Sequence, residues 1–437
     1  MTVTQTQLDA HWMPFTSNRE FKKNPRIITS AKGAYYTDDQ GRKIFDGLSG
    51  LWTCGLGHNR DELNQAIVKQ LNTLDYAPGF QFGHPIAFEL AERIAELLPQ
   101  GLERIFYTND GSESVDSALK IARGYWRKKG LPGKTKLIGR SKGYHGVNYG
   151  GVSVGGIVGN KMLFGQGIDA DHLSHTLLAE NKFCRGLPEQ GSELADELLD
   201  LIALHDASNI AAVIVEPVAG SAGVIPPPQG YLKRLREICT QHNILLIFDE
   251  VICAFGRMGA NTAAEAFDVT PDIMTMAKQL TNGAIPLGAV ATSREIYDGY
   301  MDNSGHETMI ELPHGYTYSA HPVACAAAIA TLDSLKNNNA IEMVREISPI
   351  FEEKVHSLSS SNHVLDIRNY GLAAGLTIAA TENMPTLRPY QIAMKMWQKG
   401  YYVRFGGDTI QLGIPFISSA SEIDSLVNAL GESLSDI

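Results

Sequence analysis

The sequence predicts an α/β protein in which a mostly parallel sheet carries helices on both faces. In the central part of the chain, short apolar segments alternate with amphipathic segments, and one apolar run, residues 244–248, ends abruptly in Asp249 and Glu250. Continuous apolar strands separated by helical segments are typical of parallel sheets covered on both sides. The 437 residues, of which 44% are hydrophobic and 19% are charged, suffice for two globular domains.

The predicted elements follow one another in βα order. A first strand at 104–108 precedes a helical pattern whose apolar positions are Val115, Ala118, Leu119, Ala122, Tyr125 and Trp126. A helix is predicted at about 231–242, and further strands at 136–140, 211–215, 244–248, 273–276 and 287–291. Ligands of such sheets bind outside the carboxyl ends of the strands. We therefore expect five side chains to lie together there: Ser112, Tyr144, Glu216, Asp249 and Lys278.

The remaining segments predict a second, smaller unit. An alanine-rich helix is expected at 321–330, with strands near 364–368 and 372–378. We predict an N-terminal segment (1–58) that joins the C-terminal domain (319–437) in a smaller α+β domain, beside a large domain at 59–318. Two breaks are predicted as irregular structure: the glycine-rich stretch 155–168 and a stiff surface loop at 224–230 with three prolines.

A lysine and a carboxylate follow two of the predicted strands. Lys278 comes directly after 273–276, and Asp249 ends the run 244–248. A lysine amine that condenses with an aldehyde, and a carboxylate that keeps a ring nitrogen protonated, are what a pyridoxal phosphate enzyme needs. Either residue alone is more often a solvated loop lysine or a strand terminus, so this interpretation depends on the rest of the site.

Two further motifs suit the same cofactor. Gly111 and Ser112 stand at the N-terminus of the predicted helix, where free N–H groups and the helix dipole favour a phosphate, although a simple helix cap has the same pattern. Tyr144 lies on a turn between Gly143 and Gly146, where its ring can stack on a flat cofactor.

The order of these motifs resembles the class III aminotransferases of the type I pyridoxal phosphate-dependent transferase fold, over nearly the whole chain. The segments that carry the resemblance are Gly-Ser-Glu (111–113), Tyr-His-Gly (144–146), Val-Glu-Pro-Val (215–218), Asp-Glu-Val (249–251), Ala-Lys-Gln (277–279) and Gly-Tyr-Thr (315–317). Segments 11–15, 48–54, 78–81 and 402–408 are most similar to the ω-amino acid:pyruvate (β-alanine:pyruvate) branch of that family.

The resemblance implies a role for each matching residue. Lys278 would bind the cofactor covalently and move the proton during catalysis, and Asp249 would pair with the pyridinium nitrogen. Tyr144 and Val251 would contact the two ring faces, while Gly111 and Ser112 would bind the phosphate. The implied cofactor site also contains His145, Glu216 and Thr317. Because Thr317 would come from the neighbouring subunit, the resemblance implies a homodimer or a dimer of dimers.

The implied activity is transfer of an amino group from a β-alanine-like ω-amino acid or an amine to pyruvate, giving alanine by a ping-pong cycle. The position of the arginine in ornithine- and γ-aminobutyrate-type relatives holds Gln411, which counts against those substrates. The pyruvate-using branch has its carboxylate-binding arginine a few residues earlier, and Arg404 matches it, so the resemblance implies that Arg404 would bind the substrate carboxylate. Trp52, Phe15 and Phe80 would line the amine pocket. The alternatives are a taurine:pyruvate aminotransferase, an aminomutase, a decarboxylase or a relative that does not bind the cofactor. Consumption of pyruvate in step with the donor separates an aminotransferase from an aminomutase or a decarboxylase, and a protein that stays colourless with added pyridoxal phosphate would indicate the relative that does not bind it.

Charge and composition exclude several other functions. The net charge of −11 argues against nucleic acid or an anionic membrane surface as the main partner. No apolar stretch approaches about 18 residues and the N-terminus lacks a signal-like pattern, so we expect a soluble cytoplasmic protein. The five scattered cysteines predict reduced thiols, and neither they nor the thirteen histidines have metal-ligand spacing. We therefore predict no metal.

Overall fold

The structure is a computed structural model that describes residues 3–302, 305–382 and 384–437. Its strands are, in chain order, β1 (Ile28–Lys32), β2 (Tyr35–Asp38), β3 (Lys43–Asp46), β4 (Leu102–Thr108), β5 (Lys136–Arg140), β6 (Ala170–Leu173), β7 (Ile210–Val215), β8 (Leu245–Asp249), β9 (Ile273–Met276), β10 (Gly288–Ser293), β11 (Val364–Tyr370), β12 (Ala373–Ile378), β13 (Tyr401–Tyr402), β14 (Arg404–Gly406) and β15 (Thr409–Leu412).

The α-helices connect and cover these strands. They are α1 (Gln5–Ala10), α2 (Asn18–Phe21), α3 (Ser49–Trp52), α4 (Asp61–Thr73), α5 (Pro85–Leu97), α6 (Gly111–Lys128), α7 (Tyr149–Val154), α8 (Val158–Phe164), α9 (Glu197–His205), α10 (Tyr231–Gln241), α11 (Ala263–Phe267), α12 (Arg294–Asp302), α13 (Pro322–Asn337), α14 (Ala340–His356), α15 (Leu387–Gln398) and α16 (Ala420–Ser435). Among the described helices, none combines the length and the apolar character that crossing a membrane requires.

The central sheet, called the large sheet below, has the strand order β4-β10-β9-β8-β7-β5-β6 among the described residues. The strands from β9 to β6 run parallel to their neighbours, and β10 is antiparallel to both β4 and β9. Every residue of β7 and β8 is buried, as the continuous apolar runs predicted. The predicted α/β fold with a mostly parallel sheet is confirmed.

Helix α6 covers one face of the large sheet and points its N-terminus at the carboxyl ends of the strands. Asp110 caps it, since its Oδ1 accepts the Glu113 N–H at 2.9 Å. Its apolar face, which includes Val115, Leu119 and Trp126, is buried with residues of the large sheet in one cluster. Packing of this face holds the helix terminus in a fixed position relative to the strand ends.

The first and last parts of the chain pack together. β3 pairs in parallel with β13, and the sheet formed by β11, β12, β15 and β14 shares a core with Phe45 and Leu56. Helix α13 differs from expectation: its Ala324 and Ala328 belong to the core of the large sheet, although the boundary at residue 319 assigned it to the small domain. Its apolar face is covered by α4 and α5, so the C-terminal packing unit begins near Ala340.

The two segments predicted as irregular also differ from expectation. The stretch 155–168 contains helix α8, because only its flanks are glycine-rich. The loop 224–230 is not a surface loop over most of its length, since Val224, Ile225 and all three prolines are buried. Burial of its apolar side chains stabilises this loop inside the protein, although prolines are typical of surface loops.

Candidate active site

A cavity of about 330 Å³ opens at the carboxyl ends of the large-sheet strands. It is lined by eight of the residues that the sequence analysis selected: Gly111, Ser112, Tyr144, His145, Glu216, Asp249, Val251 and Lys278. They come from five separate segments of the chain. They lie together because the carboxyl ends of parallel strands meet at one edge of the sheet.

Asp249 is the last residue of β8 and is buried, and both of its carboxylate oxygens have hydrogen-bond partners. Its Oδ2 lies 2.8 Å from His145 Nδ1, and its Oδ1 accepts the Thr275 hydroxyl at 3.1 Å and the Val251 N–H at 3.2 Å. His145 is buried as well, and its Nε2 has no partner among the described residues. These contacts fix the direction of a carboxylate that is available to a cationic group in the cavity.

Lys278 begins a short 3₁₀ turn, Lys278–Thr281, just after β9. Its φ of 47° lies in the left-handed region, which is unfavourable for a lysine and directs its side chain into the cavity from the strand end. Burial lowers the pKa of the Lys278 amine, Asp249 opposes this shift, and the positive charge of Arg404 adds to it. The uncharged amine, which is the nucleophilic form, is therefore favoured relative to an exposed lysine.

The N-terminus of α6 also borders the cavity. Within the described residues, the backbone N–H groups of Gly111 and Ser112 donate no hydrogen bond. A Cβ on Gly111 would lie 2.8 Å from Val251 Cγ1, so only glycine fits at this contact. Ser112 Oγ accepts the Val147 N–H at 3.2 Å, and Gly146 packs against Ser112. The free donors and the positive end of an 18-residue helix suit a phosphate.

Tyr144 is held over the cavity by Glu216. Glu216 accepts the Tyr144 N–H at 2.8 Å and the Gly220 N–H at 3.0 Å, and its own carbonyl accepts a hydrogen bond from Arg140 at 2.8 Å. Burial raises the pKa of Glu216 to about 7, a shift that the nearby His145 opposes. Burial also raises the pKa of the Tyr144 hydroxyl. Glu216 thus supports the turn that carries the aromatic ring.

Arg404 starts β14 and stands directly opposite Gln411 on β15. Gln411 donates to Ser221 O at 2.9 Å, and its Oε1 is without a partner in the described structure. The Arg404 side chain makes no ion pair or hydrogen bond with any described residue, yet its charge influences the pKa of Lys278 and of Tyr144. Arg404 does not itself line the cavity, but it is a cation close enough to affect two residues that do.

Besides Arg404, four predicted residues do not line this cavity in the described chain. Trp52 is 1% exposed, and it packs in an apolar cluster with the Arg257 guanidinium 5.8 Å from its ring. Phe15 is 75% exposed and faces a different depression, between the N-terminal segment and α15. Phe80 is half exposed and contacts Gly315, and Thr317 is exposed with its carbonyl accepting a hydrogen bond from Tyr76 at 2.9 Å.

The cavity also contains residues that the sequence analysis did not select. Thr53, Asn109, Asp110, Thr281 and Gly283 line it together with an apolar edge formed by Ile285, Pro286 and Leu287. All of them flank a chosen motif, and the Asn-Gly that follows Lys278 was the available signal for a tight turn. No group of three or more potential metal-ligating side chains occurs in the described ranges.

Comparison with known proteins decides the family. The family model described as "Aminotransferase class-III" matches residues 16–434. The chain belongs to the class III aminotransferases. It is 58% identical to the beta-alanine–pyruvate aminotransferase of Pseudomonas aeruginosa over 435 residues, which cover 99% of this chain and 97% of that protein.

Two further matches support the assignment to this family. The omega-amino acid–pyruvate aminotransferase of Pseudomonas putida is 56% identical, with 100% of this chain and 97% of that protein covered. The omega transaminase of Pseudomonas jessenii, whose crystal structure contains PMP, superimposes with a TM-score of 0.93 at 30% identity, covering 100% of this chain and 98% of that one. The chain is thus an aminotransferase by family and by fold.

Proposed function

We propose that this class III aminotransferase transfers the amino group of a β-alanine-like ω-amino acid, or of an amine, to pyruvate and releases alanine. The observation that carries the proposal is the single cavity in which Lys278, Asp249 and the α6 N-terminus meet. The names of the two Pseudomonas relatives compared above support the choice of donor and acceptor. The alternatives within the family are a taurine donor, an aminomutase and a decarboxylase.

The residues of the cavity fit pyridoxal phosphate. The unpaired N–H groups of Gly111 and Ser112 suit its phosphate, and the Asp249 carboxylate suits its ring nitrogen. Tyr144 and Val251 line the space where the two faces of a flat ring would lie. When bound, the cofactor supplies an aldehyde for the amine of Lys278 or substrate and a ring that accepts electron density.

The side chains of this chain then have separate tasks. Lys278, with its lowered pKa, alternates between holding and releasing a proton at its Nζ atom beside the substrate carbon. Asp249 keeps a proton on the ring nitrogen by charge pairing, and His145 and Thr275 keep that carboxylate oriented. Glu216 holds the Tyr144 turn, so the ring that covers the site keeps its position.

Arg404 is the proposed carboxylate-binding residue for both the ω-amino acid and pyruvate. Its guanidinium forms no ion pair with a described residue, and its charge reaches Lys278 in the cavity. A planar guanidinium binds a carboxylate through two parallel hydrogen bonds. Gln411 opposite Arg404 provides no second cation, which disfavours the site arrangement of ornithine- and γ-aminobutyrate-type relatives. The amine pocket would contain Trp52, Phe15 and Phe80 only after the subunits assemble or the chain rearranges.

We propose a homodimer, or a dimer of dimers, with sites shared between subunits. Thr317 is exposed and outside the cavity of its own chain, and large apolar side chains near it in sequence or in contact with its segment are also exposed. They are Phe80, Met309, Ile310 and Tyr318. An exposed apolar surface of this kind is typical of a subunit interface, and Thr317 would then meet the phosphate of the partner's cofactor.

A labelled donor panel tests the proposal. The purified protein, loaded with pyridoxal phosphate, is given ¹⁵N-labelled β-alanine, taurine or a simple arylalkylamine together with pyruvate, and alanine is analysed by mass spectrometry. We expect ¹⁵N-alanine from β-alanine in a one-to-one ratio with pyruvate consumed. Release of carbon dioxide without alanine would identify a decarboxylase. Formation of an isomeric amino acid would identify an aminomutase, and faster transfer from taurine than from β-alanine would identify a taurine:pyruvate aminotransferase.

A further inference from the structure

Two buried amide side chains follow Lys278 in the same short turn. Gln279 is 2% exposed and Asn282 is 5% exposed, and neither lines the cavity in the described structure. Both belong to the turn Lys278–Thr281 or directly follow it. Buried amides require hydrogen-bond partners, so the partners of these two show what the turn is attached to.

The partners are three successive backbone groups of the N-terminal segment. Gln279 Oε1 accepts the Gly55 N–H at 2.7 Å. Asn282 Oδ1 accepts the Leu56 N–H at 3.0 Å, and Asn282 Nδ2 donates to the Gly57 carbonyl at 2.8 Å. Gln279 Nε2 also donates to Asn282 Oδ1 at 3.3 Å. The two side chains form one connected set, called the amide bridge here, between the Lys278 turn and residues 55–57.

The contact between these two segments is close. A Cβ on Gly55 would lie 2.5 Å from Gln279 Oε1, and a Cβ on Gly283 would lie 2.9 Å from Thr53 Oγ1. Thr53 and Gly283 both line the cavity. The amide bridge therefore fixes two walls of the cavity relative to each other, one of which carries Lys278.

The backbone of the turn needs such support. Lys278 has a φ of 47° and Asn282 a φ of 50°. Two residues of this five-residue segment that are not glycine thus have a left-handed backbone conformation. Conformations of this kind persist where the surrounding structure holds them. Apart from covalent neighbours, the amide bridge is the polar contact that ties this turn to another part of the described chain.

We propose that Gln279 and Asn282 are positioning residues that hold the Lys278 amine in its working place through the amide bridge to residues 55–57. The proposal rests on Lys278 as the cofactor-binding lysine of the proposed function. Its consequence is that loss of the amide bridge changes the environment of the Lys278 nitrogen, while the phosphate and ring contacts at α6 and Asp249 remain.

Three variants test the amide bridge. Gln279→Met keeps length and removes the acceptor for the Gly55 N–H. Asn282→Gly tolerates the left-handed φ and removes both amide contacts, and Asn282→Asp keeps the acceptor but loses the donor to Gly57. Asn181→Gly is the matched control, because the Asn181 amide also bridges to a separate backbone segment, at Gln190 (2.8 and 3.4 Å), and lies outside the cavity lining.

The main measurement is a pH titration of the visible absorbance of the lysine-bound cofactor, with kcat, KM and melting temperature measured in parallel. We expect the bridge variants to retain pyridoxal phosphate, to shift the titration midpoint by about 0.5 pH unit or more, and to lose kcat by about ten- to 100-fold with KM changed little. Asn181→Gly should match the wild type in midpoint and kcat.

A wild-type midpoint and kcat in Gln279→Met and Asn282→Gly, even with a lower melting temperature, would overturn the proposal, because the amides would then only stabilise the fold. If Asn282→Gly does not fold, Asn282→Asp decides by the same criterion. Absence of a lysine-bound absorbance in the wild type would instead overturn the proposed function, so the two failures are distinguishable.

Discussion

At the scale of single residues, burial sets the chemistry of the cavity. It lowers the pKa of Lys278, raises that of Glu216 to about 7 and raises that of the Tyr144 hydroxyl. Each shift favours the uncharged form, as expected for groups removed from water. Asp249, by contrast, is held by three hydrogen-bond contacts that suit a carboxylate. The cavity therefore combines an amine that gives up its proton more readily than an exposed lysine with a carboxylate held in a fixed direction.

The charge of Asp249 is the first property to test. Asp249→Asn keeps the shape but removes the negative charge, so the ring nitrogen is no longer held protonated. A charge-assisted contact of up to about 3 kcal/mol corresponds to a loss of roughly 100-fold in turnover. Steady-state kinetics and the content of bound cofactor are measured on the same samples. Normal turnover with normal cofactor content would show that Asp249 serves only to hold His145 and Thr275.

The role of Arg404 is tested with donors that differ in charge. Arg404→Ala should lower kcat/KM for β-alanine and pyruvate by about ten- to 150-fold, since a bidentate contact to a carboxylate contributes roughly 1.5–3 kcal/mol. The half-reaction with a simple arylalkylamine, if the pocket accepts one, should be spared because that donor has no carboxylate. The three half-reactions are followed separately by cofactor absorbance. Equal losses for acidic and neutral donors would assign Arg404 a structural role instead.

At this scale the sequence predicted the residues that stand at strand ends and missed those that depend on loops. The eight predicted residues in the cavity follow β4, β5, β7, β8 or β9 in the chain, and their meeting follows from the order and direction of the strands. Trp52 and Phe15 lie on segments whose course is set by tertiary contacts, such as those of Trp52 with Arg257 and Gly413. An aromatic residue in a motif does not by itself indicate whether its ring faces a ligand or a core.

At the scale of elements, the segment between β3 and α4 is held at both ends by buried polar groups. Asp46 at the end of β3 is 2.7 Å from His58 Nε2 and also accepts the Leu48 and Gly50 N–H groups. Burial lowers the pKa of His58, but hydrogen bonds to Asp46 and Cys54 outweigh burial and raise it to about 9. The imidazolium form therefore stabilises the folded chain.

The sign of the pH dependence follows from this raised pKa. The stabilisation by protonated His58 is fully present below about pH 6.5, the value expected for an unfolded histidine, and is lost as pH rises through about 9, with a size of up to about 3 kcal/mol. His58→Gln should therefore lower the melting temperature more at pH 6 than at pH 10. A difference between wild type and variant that is independent of pH would contradict the assigned ion pair.

Element predictions succeeded where the apolar pattern was long and regular. The strand 136–140 has the predicted bounds, whereas the loop 224–230 was predicted on the surface and is mostly buried. Proline and glycine indicate the absence of regular structure, but the side chains between them decide burial. Helix α13 has a weakly amphipathic, alanine-rich sequence that fits either packing unit, and contacts with α4 and α5 assign it to the core of the large sheet.

At the scale of the whole molecule, the proposed assembly brings Thr317 to the site of a partner. In heterodimers of Lys278→Ala and Thr317→Glu chains, one site regains both groups and the other loses both. Mixing and reassembling the two inactive variants should therefore restore up to about a quarter of the wild-type activity by random pairing. Activity is compared before and after denaturation and reassembly. Full activity of a wild-type monomer, verified by ultracentrifugation, would contradict shared sites.

In the proposed enzyme, the cofactor is bound to Lys278 in the cavity at the strand ends. The most direct test is to reduce the protein loaded with pyridoxal phosphate with borohydride, digest it and locate the added pyridoxyl phosphate group by tandem mass spectrometry, with Lys278→Ala as the control. We expect the group on the Lys278 peptide in proportion to the cofactor bound, and none at any lysine in the variant. Stoichiometric labelling of another lysine, or equal labelling of wild type and Lys278→Ala, would contradict it.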